Sequence, residues 1–147
     1  MQYCFHSVVI PVPIDMVWEK IRNFYDLSWA KHFVQDCKVV GDAAGTESGV
    51  RRLVDGAFEE VLINYNPQDY YYTTCMANGP PPVTSEQVKN YTSSINLIPT
   101  KNNRGTYAKI CAHWEASSED QDTQLFFEDR NTLLLEDLAA NFPVAAE

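Results

Sequence analysis

The stretch GTYAKICAHWEASSEDQDTQLFFEDRNTLLLEDLAAN, residues 105–141, places a strand pattern directly before a helix pattern. In residues 106–114 apolar side chains recur at every second position, which is typical of a strand with one buried face. Across residues 122–141 the apolar period becomes helical, and Ser118 with Gln121 fits a capping box before it. The predicted apolar stripe consists of Phe127, Leu134 and Leu138, widened by Leu125, Phe126, Leu133 and Leu135. This predicted helix is long enough to cover one face of a sheet.

Upstream of this stretch, short β-branched and aromatic segments alternate with Gly, Asn, Asp and Pro turn residues. The pattern predicts strands at 2–10, 36–41, 50–54, 57–65, 70–76, 89–98 and 105–115. Two short helices are predicted after the first strand, one with Asp15 as its N-cap and one across Asp26–Phe33. The predicted order is therefore one strand, two short helices, six strands and one long helix. It indicates an α+β fold in which a seven-stranded antiparallel sheet wraps around the long C-terminal helix.

Length and composition restrict the class of protein. The chain has 147 residues, of which 45% are hydrophobic and 12% aromatic, so we expect a single packed domain, 1–147. The formal net charge of −9 disfavours binding to nucleic acid or to an anionic membrane surface through charge alone. No apolar run approaches 18 residues and the N-terminal segment lacks the features of a signal peptide. We therefore expect a soluble, cytoplasmic protein without integral membrane association.

The residues that commonly carry metal or nucleophilic chemistry form no recognisable motif. The four cysteines, Cys4, Cys37, Cys75 and Cys111, are widely separated, which predicts reduced thiols in strands rather than a metal site or redox pair. No phosphate-binding loop or nucleophile elbow is present. A catalytic pair of a histidine with a carboxylate or a serine is conceivable at His6, His32 or His113. Strand alternation places His113 towards solvent, His6 lies on a different strand, and His32 flanks Phe33. The sequence accordingly predicts no metal, no cofactor and no defined catalytic residue.

Four local motifs carry a resemblance to a known superfamily. They are AKHFVQDCKVV at residues 30–40, Glu60 with the following Val-Leu, NYTS at residues 90–93 and SEDQDTQLFFED at residues 118–129. With the order of elements, they resemble the SRPBCC, or START-like, helix-grip superfamily, in its polyketide cyclase/dehydrase-like and abscisic-acid-receptor-like branch. The resemblance spans about residues 8–141 and implies a ligand cavity between the sheet and the last helix.

Two loops depart from the abscisic-acid receptors within this superfamily. Their gate is a Ser-Gly-Leu-Pro-Ala loop, whereas residues 54–58 here read VDGAF, which is shorter and lacks proline. Their latch is a His-Arg-Leu turn, whereas residues 78–83 here read NGPPPV and resemble a turn of bacterial polyketide-cyclase-like members. The resemblance therefore does not extend to the hormone-receptor gate.

The resemblance implies a set of ligand-binding residues. Lys31 corresponds to a lysine that meets the ligand's carboxylate. The implied polar positions are Arg52, Glu60, Tyr91 and Ser93, and the implied apolar walls are Phe33, Val34, Val54, Tyr72 and Phe126. Ile110 joins them because it lies on the apolar face of strand 105–115.

Strand periodicity indicates which of these residues face inward, and several of them also fit purely structural roles. In strand 89–98 clean alternation places Tyr91 and Ser93 on the buried face, whereas strand 57–65 is mixed on both faces. Arg52 and Glu60 also fit a cross-strand ion pair. Lys31 also fits a solvated helix position, and Tyr91 a core tyrosine.

Three functions are compatible with this pattern. The favoured one is binding of a small hydrophobic or amphipathic molecule, such as a lipid, polyketide or terpenoid-like compound. The second is a cyclase, aromatase or dehydratase that uses the same cavity, with Glu60, Tyr91 or Lys31 as acid or base. The third is a protein-interaction module with a collapsed cavity. No oligomeric state is predicted.

Overall fold

A seven-stranded antiparallel sheet forms the framework of the computed structural model, which describes residues 1–116 and 121–143. The strands are β1 Gln2–Ile10, β2 Cys37–Val40, β3 Arg51–Val54, β4 Phe58–Asn66, β5 Tyr71–Asn78, β6 Lys89–Pro99 and β7 Thr106–Glu115. Their order across the sheet is β1-β7-β6-β5-β4-β3-β2, so the last six form a meander and β1 adds to its end. The seven predicted strands and the antiparallel sheet are confirmed.

The short helices differ from their predictions. Helix α1 spans Ile14–Ile21 and its N-cap is Pro13, whose extended backbone starts the helix two residues earlier than an Asp15 cap would. Asp15 instead lies in the first turn, where its carboxylate accepts a hydrogen bond from the Tyr70 hydroxyl at 2.7 Å. The predicted helix across Asp26–Phe33 is only a 3₁₀ turn at Ser28–Ala30. Its backbone amides bond at three-residue spacing, Ala30 to the Leu27 carbonyl and Phe33 to the Ala30 carbonyl, so no continuous α-helical ladder forms.

Helix α2 spans Gln121–Ala140 and packs against β1, β7 and the 3₁₀ turn, as the predicted long helix requires. Ser118 of the predicted capping box lies outside the described residues. Leu125 and Leu133 are 56% and 43% exposed, so the prediction that they widen the apolar stripe is wrong. At about 100° per residue both lie opposite Phe127, and the buried face instead includes Arg130 and Asn131.

The inner face of the sheet carries the core. Alternation on β6 and β7 follows the prediction, with Tyr91, Ile95 and Ile110 buried among their inward neighbours. On β4 the pairing with β5 shifts between Leu62 and Asn64. This irregularity reverses which face later residues occupy, and it explains why a strict period of two was ambiguous in this strand.

Three further features bear on the expected class of protein. The cysteines are free thiols in β1, β2, β5 and β7, the strands that the sequence predicted for them. Within residues 1–116 and 121–143, no helix is both long and apolar enough to cross a membrane. Over the same ranges no group of three or more His, Cys, Asp or Glu side chains is arranged to bind a metal ion.

Candidate functional site

A small cavity lies between the inner face of the sheet, the 3₁₀ turn and α2. Its volume open to water is about 60 Å³. The lining residues are Leu27, Trp29, Arg52, Glu60, Tyr72, Thr74, Tyr91, Ser93, Ile95, Ile110, Arg130, Asn131 and Leu134. Since one water needs about 10–15 Å³ of such space, the cavity has room for a few water molecules or for one end of a small ligand.

Three charged side chains meet at one wall of this cavity. The β3–β4 register places Arg52 directly opposite Glu60, and Arg52 Nε donates to Glu60 Oε1 at 2.8 Å. Arg130 reaches the same carboxylate from α2, with its Nη2 atom 3.8 Å from Glu60 Oε2. The three side chains are only 8–9% exposed, so this is a buried cluster of two cations and one anion.

The two arginines differ in how well the protein compensates them. Arg52 also donates to the Phe24 carbonyl at 2.7 Å, and its guanidinium lies 3.9 Å from the centre of the Phe24 ring. Burial lowers the pKa of Arg52, but the adjacent Glu60 carboxylate outweighs it and the pKa is raised overall. Burial lowers the pKa of Arg130, and the more distant Glu60 opposes this only in part. Both arginines stay charged at neutral pH.

Tyr91 forms the aromatic wall of the cavity towards α2. Its ring stacks on Phe127 with the ring centres 4.2 Å apart and also contacts Trp114. Burial raises the pKa of Tyr91 to about 12, against an opposing effect of the Asn131 side chain. Its hydroxyl is therefore protonated at neutral pH and is able to donate a hydrogen bond.

Two further side chains at the cavity have hydrogen-bond donors that are unpaired or only weakly paired. Trp29 is 4% exposed, and its indole Nε1 has no hydrogen-bond partner among the described residues. Asn131 donates to Cys4 Sγ at 3.4 Å, which is a weak interaction. Buried donors in this state are compatible with a ligand or water that supplies acceptors.

The structure brings six of the predicted ligand-binding residues to the cavity. They are Arg52, Glu60, Tyr72, Tyr91, Ser93 and Ile110. The predicted cross-strand pair of Arg52 and Glu60 is also present.

The other five predicted residues lie outside the lining. Lys31 is exposed in an open groove of about 590 Å³ that also includes Val34. Phe33 lies near the Arg130 guanidinium, Phe126 packs on Phe58, and Val54 is fully buried in the core. Leu27 lines both this groove and the interior cavity, so the two spaces adjoin at its side chain.

Sequence reasoning missed Arg130, although a signal for it exists. Arg130 lies three residues after Phe127 and four before Leu134, so the helical period places it on the buried stripe. A cation in such a stripe is a candidate functional residue because its burial is costly without a partner. Leu27 and Trp29 had no comparable signal, since Leu27 caps the 3₁₀ turn and Trp29 lies within it, and the packing of this turn depends on the whole fold.

The histidines lie away from the cavity. His6 Nδ1 is 3.1 Å from the Thr132 hydroxyl, and His113 is exposed on the outer face of β7. His32 Nδ1 is 3.0 Å from Asp137 Oδ1, and its backbone amide donates to the other carboxylate oxygen. Asp137 therefore fastens the 3₁₀ turn region to α2.

Comparison with known proteins identifies a family and similar solved structures. The model of the family described as polyketide cyclase / dehydrase and lipid transport matches residues 5–142. A structure of a Nitrosospira multiformis protein is 33% identical, with a TM-score of 0.88 over 97% of both chains. No curated protein sequence matches the chain.

More distant structures share the fold. XoxI from Bacillus cereus is 22% identical, with a TM-score of 0.81 over 97% of this chain and 96% of that one. The crystal structure of Ara h 8.0201 is 11% identical, with a TM-score of 0.77 over 96% of this chain and 97% of that one. At these identities the likeness concerns the fold alone, which is the helix-grip fold that the sequence predicted.

Proposed function

Because the chain belongs to the polyketide cyclase / dehydrase and lipid transport family, we propose that it binds a small hydrophobic or amphipathic molecule between its sheet and α2. The observation that carries this proposal is the interior cavity, whose wall combines aromatic and aliphatic side chains with a few polar groups. Such a combination is typical of ligand sites, in which apolar contacts supply affinity and polar groups fix orientation.

The size of the cavity limits how the ligand is accommodated. Sites for drug-sized ligands usually measure about 300–1,000 Å³, which exceeds the volume open to water here. A slender ligand end fits the cavity as it stands, and a larger lipid, polyketide or terpenoid-like molecule requires Leu27 to move. Displacement of Leu27 joins the cavity to the outer groove that contains Lys31 and Val34. Those two predicted ligand residues then contact the outer part of a longer molecule.

An enzyme of the cyclase or dehydratase type is the second candidate. Glu60 and Tyr91 line the same cavity, which favours a shared role in acid–base chemistry. Tyr91 is protonated and suits a hydrogen-bond donor or acid, whereas Lys31 lies outside the cavity. The Glu60 carboxylate is occupied by Arg52 at 2.8 Å, which supports a structural role for it and favours binding over catalysis.

Native mass spectrometry of the protein purified from its own organism tests the proposal. We expect a co-purified small molecule, or a thermal shift with members of a lipid and polyketide panel. Ser93→Leu fills the cavity and should abolish either signal, whereas Ser94→Leu makes the same exchange on the opposite face of β6 and should not. Absence of any ligand and of any thermal shift in the unmodified protein would refute the proposal. Turnover of a panel member would favour the enzyme.

A further inference from the structure

The cavity wall carries one positive charge more than its anions balance. Among its lining residues Arg52 and Arg130 are cationic and Glu60 is anionic, so the sum of the three is +1. The lining tyrosines do not supply the missing anion, because burial raises the pKa of Tyr72 and of Tyr91. An unbalanced charge in a buried site is costly, and a ligand of opposite charge relieves that cost.

The unbalanced charge lies at Arg130. Arg52 has hydrogen bonds to Glu60 and to the Phe24 carbonyl. For Arg130 the described part of the chain supplies the Glu60 carboxylate oxygen at 3.8 Å, beyond hydrogen-bond distance, and the rings of Phe58 and Phe33 at 3.8 and 5.3 Å from the guanidinium carbon. Asp55 adds an electrostatic attraction that is weaker than that of Glu60. The fork of guanidinium N–H groups therefore has donors left for a planar, two-oxygen acceptor.

The polar groups around the cavity favour a ligand with hydrogen-bond acceptors over a cationic ligand. Trp29 lines the cavity with an indole N–H that has no acceptor among the described residues. The Tyr91 hydroxyl remains protonated, and Ser93 and Thr74 add hydroxyl groups to the same wall. A volume of about 60 Å³ accommodates a carboxylate and the first atoms of an apolar tail.

We infer that the ligand carries a carboxylate and that Arg130 is the residue that binds it, with the apolar part against Ile95, Ile110 and Leu134. This inference rests on the proposed function and specifies the chemical class of its ligand. It moves the anion-binding position from Lys31, which the resemblance implied, to a residue on α2. In this role Arg130 also links α2 to the ligand, so occupancy of the cavity stabilises the helix against the sheet.

Calorimetric titration tests the inference with two ligands, hexanoate and 1-hexanol. They share a six-carbon chain, but hexanoate ends in a carboxylate and 1-hexanol in a neutral hydroxyl. We expect hexanoate to bind at least about tenfold more tightly than 1-hexanol, because a charge-assisted pair with Arg130 is lost in the alcohol. Arg130→Gln should remove this preference. Arg51→Gln makes the same exchange on the exposed face of β3 and should retain it.

Measurements on the unmodified protein cover the case in which Arg130→Gln does not fold. Hexanoate should shift the side-chain nitrogen and proton signals of Arg130 and the indole signal of Trp29 in NMR spectra, whereas 1-hexanol should leave the Arg130 signals in place. Equal binding of hexanoate and 1-hexanol, with Arg130 unperturbed, would overturn the inference and leave the proposed function standing. Equal affinity for inorganic phosphate would overturn the preference for a carboxylate amphiphile. Failure of both hexyl compounds to bind at millimolar concentration would count against both claims.

Discussion

Glu60→Gln removes the only anion of the buried charge cluster while keeping the size of the side chain. In the substituted protein Arg52 and Arg130 lose the carboxylate that they share. Arg52 keeps its bond to the Phe24 carbonyl, but its bond to position 60 changes from charge-assisted to neutral. The substitution therefore isolates the electrostatic contribution of Glu60.

The expected loss of stability follows from the two distances. A pair of unit charges about 4 Å apart interacts by about 4 kcal/mol at an effective dielectric constant of about 20, and Glu60 has such contacts at 2.8 and 3.8 Å. Relief of the Glu60 desolvation penalty offsets part of this, so we expect a net loss of about 3–5 kcal/mol. For a chain of 147 residues that corresponds to a fall in Tm of roughly 10–15 °C.

Thermal and urea denaturation of Glu60→Gln and Glu59→Gln at neutral pH measure this loss. Glu59 precedes Glu60 on β4 but is exposed, so its substitution should change the free energy of unfolding by less than about 0.5 kcal/mol. Equal stability of the two variants would show that the three buried side chains are not electrostatically coupled. A carboxylate ligand should restore part of the Glu60→Gln loss, because it replaces the missing anion.

Three other predictions test separate parts of the structure. The pKa of Tyr91 rises to about 12 on folding, so between about pH 10 and pH 12 the native state keeps a proton that the unfolded chain releases. The free energy of unfolding should therefore fall by about 3 kcal/mol over this range. In urea titrations Tyr91→Phe should flatten that fall, and an unchanged slope would contradict the burial of the phenol. Leu138→Ala should cost about 2–5 kcal/mol on urea unfolding, whereas Leu125→Ala should cost less than about 0.5 kcal/mol, and similar losses would show that the assigned buried face of α2 is wrong. Asp137→Ala should accelerate hydrogen exchange of the His32 amide by about tenfold, and an unchanged rate would mean that Asp137 does not fasten the turn.

Much of the fold was predictable because its signals are local. The strands are bounded by turn residues, and the inner faces of β6 and β7 follow a period of two that places Tyr91 and Ile110 inward. The long helix follows from an apolar repeat that needs no tertiary information. Its two exposed leucines, Leu125 and Leu133, were misassigned because apolar residues occur on more than one face of this helix, so the sequence does not show where the buried stripe ends.

The candidate site was less predictable because it depends on packing between distant segments. The Arg52–Glu60 pair was accessible from adjacent strands, since the register of a hairpin places such residues opposite each other. The position of Lys31 depends on how residues 26–36 fold back, and the 3₁₀ turn there places its side chain in the outer groove. Arg130 reaches the cavity only because α2 packs on the sheet with this residue beside Glu60 of β4.

Contacts between a bound ligand and isoleucine methyl groups show whether the ligand lies between the sheet and α2. Ile95 and Ile110 line the cavity, whereas Ile63 and Ile98 are 47% and 40% exposed. Isotope-filtered NOE spectra of the methyl-labelled protein with hexanoate, or with a co-purified ligand, compare the two pairs in one sample. If the ligand binds in the cavity, we expect NOEs from it to Ile95 and Ile110 and none to Ile63 and Ile98. NOEs confined to the exposed pair, or none to any isoleucine at saturating ligand, would contradict it.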